Sequence, residues 1–310
     1  MTRPLVTVVI ETITARLDTH AALAEVLAGP IRAVEGQTYP SDRIETILVV
    51  DDGIAEADIA EIGRRYPHVA IVRSEASNYF AAKNSGAARA SGDYVMFLDG
   101  DCVPEPDCLE QLIRKFETGV AVVAGCVRYT GRSWTARILS VPDFAYIVTE
   151  SDGQANGLNL SNAAFRRDVL AKLPLDERVR RDGGCYQLFH RIRAAGGRAL
   201  YEPRAIASHG IDVGGLGFIR KHFSRGYDGV SVYRLDEDGL FRGTAWFRRL
   251  GPFALAALTV RRILLDWARL VRHRRQIGIR VVALPAYAMV GASLRLIELV
   301  GGSTAFFRRT

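Results

Sequence analysis

Acidic residues directly follow three short apolar runs in the first hundred residues, and this is where the sequence concentrates groups able to do chemistry. The acids are Glu11 after VTVVI, Asp51 and Asp52 after ILVV, and Asp99 and Asp101 after YVMFL. Two carboxylates one residue apart, like Asp99 and Asp101, can hold one hard divalent cation such as Mg²⁺ or Mn²⁺. Such a cation bridges to diphosphate oxygens and neutralises the charge that develops on a leaving nucleoside diphosphate. These acids therefore predict a site for a divalent cation and a diphosphate.

The elements that must position these acids alternate between strands and helices. The apolar patterns predict strands over 6–10, 45–50, 68–73 and 94–98, and helices over 21–34, 56–66 and 81–90. Apolar strands alternating with helices are typical of a mostly parallel sheet covered on both faces, so we expect an α/β, Rossmann-like fold. Ligands of such sheets bind beyond the carboxyl ends of the strands, where these acids lie. Several carboxylates in one crevice repel one another unless a cation or a ligand compensates.

Composition narrows the class of protein further. The chain has 310 residues, of which 48% are hydrophobic and 24% are charged, so it is long and apolar enough for a large α/β domain with an appendage. Its four cysteines show no paired or zinc-type spacing, which predicts free thiols in a reducing compartment. The N-terminal apolar run is broken by Glu11 and has no cleavage site of small residues after it. We therefore expect no signal peptide and a cytoplasmic location.

The positive charge of the chain is concentrated at its C-terminal end. The chain carries +7 overall, but residues 240–310 hold thirteen Arg and two acids, a net +11, which leaves −4 for residues 1–239. A mildly acidic body with an Arg-rich apolar tail favours anionic lipid headgroups over nucleic acid as the partner. We therefore expect residues 1–238 to form the catalytic domain and residues 239–310 to form a helical region that associates with the inner face of the cell membrane.

Two apolar runs in this tail, 250–260 and 281–294, are shorter than the roughly 20 residues of a membrane span. Flanking arginines allow such helices to lie in the membrane interface, and Pro285 predicts a break or kink in the second run. The alternative is an ordinary helical subdomain packed on the catalytic domain, or a dimer interface.

Four segments in this order and spacing resemble the N-terminal half of the family 2 glycosyltransferases: VTVVIET, GQTYP, IETILVVDDG and NYFAAKNSGAARASGDYVMFLDGD. The resemblance spans roughly residues 5–210. It implies the GT-A fold, an inverting mechanism and a nucleotide-diphosphate-sugar donor, with a carbohydrate, a lipid-linked sugar or a peptide as the acceptor. The chain departs from the family pattern at Glu11, where relatives usually carry Pro.

The resemblance also assigns roles to individual residues. It places Asp52 on the nucleotide base with Asp51 beside it, Thr12 in the same pocket, Lys83 at the diphosphate or base, and Asp99 at both the nucleotide and the metal. In some relatives a histidine at the place of His209 completes the metal shell with the equivalents of Asp99 and Asp101, and neutral imidazole is an acceptable Mn²⁺ ligand. The segment 157–167 resembles the family segment beside the donor sugar and acceptor, which makes Asn162 a candidate contact.

The general base is where the chain departs most from the family. Relatives use the Asp of a Glu-Asp pair, and both the spacing to Arg191 and the spacing to His209 place Gly184-Cys185 there. A thiol is a poor base for a hydroxyl. Asp182 lies three residues earlier, and the double glycine after it permits the loop to bring its carboxylate into that place.

Other interpretations of this departure stay open. Glu177 and Asp176 are the alternative bases. An inactive sugar-nucleotide-binding or scaffold protein is the alternative function. A nucleotidyltransferase of similar architecture is a further alternative, although Glu11-Thr12-Ile13-Thr14 lacks the Gly-rich basic loop expected of one.

Overall fold

The computed structural model of this chain describes residues 3–17, 23–74, 78–116, 118–130, 153–210, 215–241, 243–274 and 279–308. The strands are β1 (Val6–Glu11), β2 (Ile44–Val50), β3 (Ala70–Arg73), β4 (Tyr94–Asp99), β5 (Cys102–Pro104), β6 (Val120–Thr130), β7 (Asn162–Arg166) and β8 (Arg198–Gly210). The first helices are α1 (Ile13–Leu17), α2 (Leu23–Glu35), α3 (Glu56–Arg65), α4 (Tyr79–Arg89), α5 (Cys108–Ile113) and α6 (Arg167–Lys172). They are followed by α7 (Gly184–Ala194), α8 (Gly215–Leu235), α9 (Thr244–Leu250), α10 (Pro252–His273) and α11 (Leu284–Phe307).

The eight strands form one sheet in the order β3-β2-β1-β4-β7-β6-β8-β5. β1 runs parallel to both β2 and β4, with Glu11 opposite Val49 on one side and Asp99 on the other. Successive side chains of β1 enter two apolar cores, with Val9 in the core on one face and Val8 and Ile10 in the core on the other. The structure thus confirms the expected α/β fold and brings the ends of β1, β2 and β4 together. Of the predicted helix 21–34, residues 21 and 22 lie outside the described residues.

The second half of the sheet contains the antiparallel pairs. β7 lies antiparallel between β4 and β6, and β8 pairs in parallel with β6. The short strand β5 pairs antiparallel with β8, and this register sets Cys102 opposite His209. Strand β8, which carries His209, therefore lies next to the segment that follows Asp99 and Asp101.

Helices α8 to α11 form a helical layer at the C-terminal end. α11 packs against both α8 and α10. The predicted kink at Pro285 is wrong, because Pro285 lies in the first turn of α11, where its missing N–H has no helical partner to lose. The two short apolar runs continue as long helices. Within the described part of the chain one segment, Val281–Phe307, is long and apolar enough to cross a membrane by length and composition.

Candidate active site

Asp99, at the end of β4, is held by two residues of α4. Its Oδ1 atom accepts hydrogen bonds from Lys83 Nζ at 2.8 Å and from the Tyr79 hydroxyl at 2.7 Å. Lys83 is fully buried, and its Nζ also donates to the Leu160 carbonyl at 3.4 Å. Burial alone would raise the pKa of Asp99, but the charge and hydrogen bond of Lys83 outweigh burial and lower it. The structure thus places Lys83, predicted at the diphosphate or the base, in an ion pair with Asp99.

Replacement of Asp99 by Asn is expected to lower the free energy of unfolding by about 3 kcal/mol, because it leaves the buried ammonium of Lys83 without its carboxylate partner. Urea denaturation of the full chain at pH 7 measures this change. The exposed Asp52 offers a matched control, since Asp52→Asn is expected to change stability by less than about 0.5 kcal/mol. A loss of less than about 1 kcal/mol for Asp99→Asn would show that the pair contributes little.

Glu11 is buried at the end of β1 and is tied to the turn that follows it. Its carboxylate accepts from the Thr14 hydroxyl at 2.5 Å and from the Thr14 amide at 3.1 Å. Thr14 Oγ1 also accepts from the Gly100 amide at 3.0 Å. A Cβ at Gly100 would lie 2.5 Å from the Glu11 carbonyl oxygen, which explains the glycine between the two aspartates. Burial, followed by the charge of Asp99, raises the pKa of Glu11 to about 7.

Asp101 and His209 form a further pair of contacting side chains in the site. His209 Nε2 lies 2.9 Å from Asp101 Oδ2, and both side chains are buried. Burial would lower the pKa of His209, but the hydrogen bond and charge of Asp101 outweigh burial and raise it. Among the described residues, the potential ligand atoms of Asp101, Cys102 and His209 all lie within 4.8 Å of one another.

Asp99, predicted as a further metal ligand, is absent from this group of Asp101, Cys102 and His209. Its Oδ1 atom accepts instead from Lys83 and Tyr79.

The predicted nucleotide-base residues lie at the ends of β1 and β2. The Thr12 hydroxyl donates to the Val49 carbonyl and lies 3.2 Å from Asp51 Oδ2. Asp51 is buried and accepts from the Gly53 amide at 2.9 Å, whereas Asp52 is exposed. The structure brings Thr12 and Asp51 together and leaves the Asp52 side chain at the surface.

Asn162 is placed inside the sheet. Its Nδ2 atom donates to the carbonyls of Cys126 at 3.1 Å and Ala205 at 2.9 Å, and its side chain is fully buried. The Cys108 thiol lies 3.5 Å from Asn162 Oδ1. These contacts tie β7 to β6 and β8.

The start of α7 explains why the Glu-Asp pair of the family does not fit here. A Cβ at Gly184 would lie 2.3 Å from the ring of Phe80, so a side chain larger than glycine has no room. Burial raises the pKa of the Cys185 thiol to about 11, so at neutral pH this group is a thiol rather than a base. Asp182, in contrast, is a half-buried carboxylate directly before this helix.

Two residues of α8 that sequence reasoning missed contact the loop that carries Asp182. Arg225 Nε donates to Asp182 Oδ1 at 3.3 Å, and Asp228 Oδ2 accepts from the Asp182 amide at 3.2 Å. Burial raises the pKa of Asp228 to about 6. These contacts join residues more than 40 positions apart, so no local pattern signals them. Tyr79 was also missed, but its i, i+4 spacing to Lys83 on α4 is a signal that can be read.

The α/β sheet with acids at the ends of β1, β2 and β4 is the arrangement that the resemblance to the family 2 glycosyltransferases implies. A family model described as Glycosyl transferase family 2 matches residues 19–173, half of the chain. The chain belongs to glycosyl transferase family 2. The matched range includes Asp52, Asp99 and Asp101, whereas Thr12, Asp182 and His209 lie outside it.

Individual relatives agree with this assignment. Glycosyltransferase AglE of Haloferax volcanii is 28% identical over 226 residues, which cover 71% of this chain and 73% of that protein. A glucosyl-dolichyl phosphate glucuronosyltransferase of the same organism is 26% identical over 200 residues, covering 58% of this chain and 62% of that protein. Among solved structures, a mannosyltransferase of Pyrobaculum calidifontis in complex with GDP-Man and Mn²⁺ has a TM-score of 0.65 at 16% identity. That comparison covers 100% of this chain and 89% of the mannosyltransferase, and it supports the fold.

Proposed function

We propose that this chain is a metal-dependent, inverting glycosyltransferase that moves a sugar from a nucleotide diphosphate donor to an acceptor at the cytoplasmic membrane. The observation that carries the proposal is the buried pair Asp101 and His209, 2.9 Å apart beside the ends of β1 and β4. A buried carboxylate and imidazole at the carboxyl edge of a GT-A sheet are suited to a cation that accompanies a diphosphate.

The residues present fit Mg²⁺ or Mn²⁺. The carboxylate oxygen of Asp101 and the ring nitrogen of His209 are donors of the kind these ions accept, and their potential ligand atoms lie within 4.8 Å of each other. Burial and the charge of Asp101 raise the pKa of Cys102, so the thiol is the poorest donor of the three. Asp101 and His209 would hold the cation, which supplies positive charge to the leaving diphosphate.

The other strand-end groups bind and orient the donor. Thr12, Asp51 and Asp52 lie at the ends of β1 and β2, where they form one side of the pocket proposed for the nucleotide base. Asp99 is held by Lys83 and Tyr79, and this anchoring fixes the turn from which Asp101 projects.

The acceptor requires a base. We assign this role to Asp182, which lies just before α7 and close enough to Cys185 for its charge to act on that thiol. As the acceptor oxygen bonds to the anomeric carbon, its proton passes to Asp182. The bond from that carbon to the diphosphate oxygen breaks, and its electron pair leaves with the nucleoside diphosphate.

Donor turnover tests the proposal. The full chain is incubated with GDP-mannose, UDP-glucose or UDP-N-acetylglucosamine in Mn²⁺ and in EDTA, and released nucleoside diphosphate is measured by mass spectrometry. Release from at least one donor in Mn²⁺ and none in EDTA is expected. Release that is equal in EDTA would contradict the metal role. Absence of release from every donor would favour the inactive scaffold.

The C-terminal helices support the membrane part of the proposal. Exposed apolar side chains lie along one face of α10, at Phe253, Val260, Leu264, Trp267 and Val271. α11 carries a second exposed stripe, at Met289, Leu296, Val300 and Phe307. An exposed apolar face of this length is rare on soluble surfaces and is suited to a membrane interface.

Charge in the same region agrees with an anionic surface. The two acids after residue 239, Asp266 and Glu298, both pair with Arg295, at 2.8 and 2.7 Å. Arg248, Arg249, Arg261 and Arg272 are exposed. Because the acids are paired internally, the outer surface of this layer is cationic, and each Arg near anionic lipid contributes about 1 kcal/mol.

The full chain is therefore expected to co-sediment with phosphatidylglycerol-containing vesicles, less so with phosphatidylcholine vesicles, and to be released as salt rises. Replacing Leu264 and Trp267 together by Gln is expected to reduce binding at least about tenfold, because each inserted apolar side chain contributes roughly 1.5 kcal/mol or more. Replacing the exposed Glu61 and Arg64 of α3 by Gln is the matched control. Equal binding of the Leu264 and Trp267 variant would assign this face to protein packing.

A further inference from the structure

Two different faces of helix α8 make tertiary contacts. His222, Gly226 and Val230, spaced by four residues, face α11, whereas Arg225, Asp228 and Val232 contact the loop that carries Asp182. Residues spaced by three, four and seven positions share one face of a helix. Helix α8 therefore packs between α11 on one face and the loop that carries Asp182 on the other.

The contact between α8 and α11 is close and polar. A Cβ at Gly226 would lie 1.8 Å from the Glu298 carbonyl oxygen, and one at Gly301 would lie 2.0 Å from the Phe223 carbonyl oxygen. His222 Nδ1 lies 2.8 Å from Glu298 Oε1, with both side chains buried. Backbones this close leave little freedom for α8 to shift along or away from α11.

On its other face, α8 holds the loop before α7 by three contacts. Arg225 binds the Asp182 carboxylate at Oδ1, and Asp228 binds the Asp182 amide. Gly183 has φ of +97°, and the place where its Cβ would be lies 2.6 Å from Val232 Cγ2. Both the backbone and the carboxylate of residue 182 are therefore fixed by α8.

We propose that Arg225 is a positioning residue for Asp182, acting on the general base through the ion pair, and that α11 fixes α8 in the place this requires. The inference rests on the proposed function, because it takes Asp182 as the base. Arg225 engages Oδ1, and the second oxygen of the same carboxylate then accepts the proton. Since a misplacement of about 1 Å costs on the order of 10²-fold in rate, loss of this contact reduces turnover without touching the donor.

A double-mutant cycle tests the proposal in the full chain, with the donor that the unaltered chain turns over fastest among GDP-mannose, UDP-glucose and UDP-N-acetylglucosamine. Arg225→Met is expected to lower kcat about 10- to 100-fold. The Kd for the matching nucleoside diphosphate in Mn²⁺ should stay within about twofold. Arg225→Lys, which retains a donor and a charge, should recover part of the rate. In the Asp182→Asn background, Arg225→Met should have no further effect, because the two residues act as one unit.

The control is Arg220→Met, an exposed arginine on the same helix, which should leave kcat unchanged. Equal kcat for Arg225→Met and the unaltered chain would overturn the positioning role while leaving the proposed function intact. A further loss in the Asp182→Asn background would also overturn it, since Arg225 would then act through another group. No turnover of any donor by the unaltered chain would overturn the proposed function itself, and the positioning role with it.

Discussion

Replacement of Asp182 by Asn is expected to lower sugar transfer by about 10²- to 10⁴-fold, the range for a lost general base, while nucleotide binding persists. Asn keeps the shape of the side chain and a contact for Arg225 but accepts no proton from a hydroxyl. Steady-state kinetics with the preferred donor, combined with calorimetric titration of the nucleoside diphosphate, separates the two effects.

Two neighbouring residues sharpen this test. Cys185→Ser is expected to be nearly silent, since burial raises the pKa of Cys185 to about 11 and the thiol has no role as a base. Gly183→Val is expected to mimic Asp182→Asn. Valine is strained at the φ of +97° found there, and its Cβ would meet Val232 at 2.6 Å.

The opposite pattern of results would contradict Asp182 as the base. If Cys185 is essential and Asp182 dispensable, the chemistry is not that of the family. If neither change affects transfer, Glu177 is the next base to test.

Replacement of Asp101 by Ala is expected to remove the coupling between nucleotide binding and the divalent cation. In the unaltered chain, Mn²⁺ should tighten binding of the nucleoside diphosphate by about 10²-fold or more, because a shared cation neutralises both the diphosphate and Asp101. With Asp101→Ala, affinities in Mn²⁺ and in EDTA should converge. Calorimetric titration under both conditions measures the difference.

A matched control is Glu61→Ala, which removes one acid from the exposed face of α3 and should leave the Mn²⁺ dependence unchanged. Nucleotide binding that is already equal in Mn²⁺ and EDTA for the unaltered chain would contradict the metal role of Asp101.

The parallel half of the fold was predictable because its signals are local. β1, β2 and β4 are mostly apolar runs, and the acids at their ends lie at one edge of the sheet because the carboxyl ends of parallel strands meet there. The structure places Glu11 and Asp99 opposite each other in register, as expected for residues at the ends of two neighbouring parallel strands. β5 was not predicted, because three residues from Cys102 to Pro104 carry no periodic signal.

The sequence did not predict which side chains contact one another in the folded protein. Lys83, predicted at the diphosphate or the base, also forms a buried ion pair with Asp99, and no local pattern in the sequence signals that pair. Asn162 was predicted to contact the donor sugar or the acceptor because its segment resembles one in the family. The two backbone carbonyls that accept from its amide belong to strands 36 and 43 residues away. Contacts over such separations depend on the assembled sheet.

In the C-terminal region, too, a contact between distant residues was not predictable from the sequence. In the sequence the second apolar run ends at Leu294, and Arg295 flanks it as a residue able to reach lipid headgroups. In the structure Arg295 is buried between Asp266 and Glu298, so α11 continues to Phe307. One of these pairs joins α11 to α10 and the other lies within α11, and together they allow an arginine to lie in the interior of a helix.

The central claim, a cation held by Asp101 and His209 beside the donor diphosphate, is tested most directly by anomalous scattering. Crystals of the full chain grown with GDP and Mn²⁺ should show one manganese peak in contact with Asp101, His209 and the diphosphate. A manganese peak elsewhere, or an ordered diphosphate with no metal at these two residues, would contradict it.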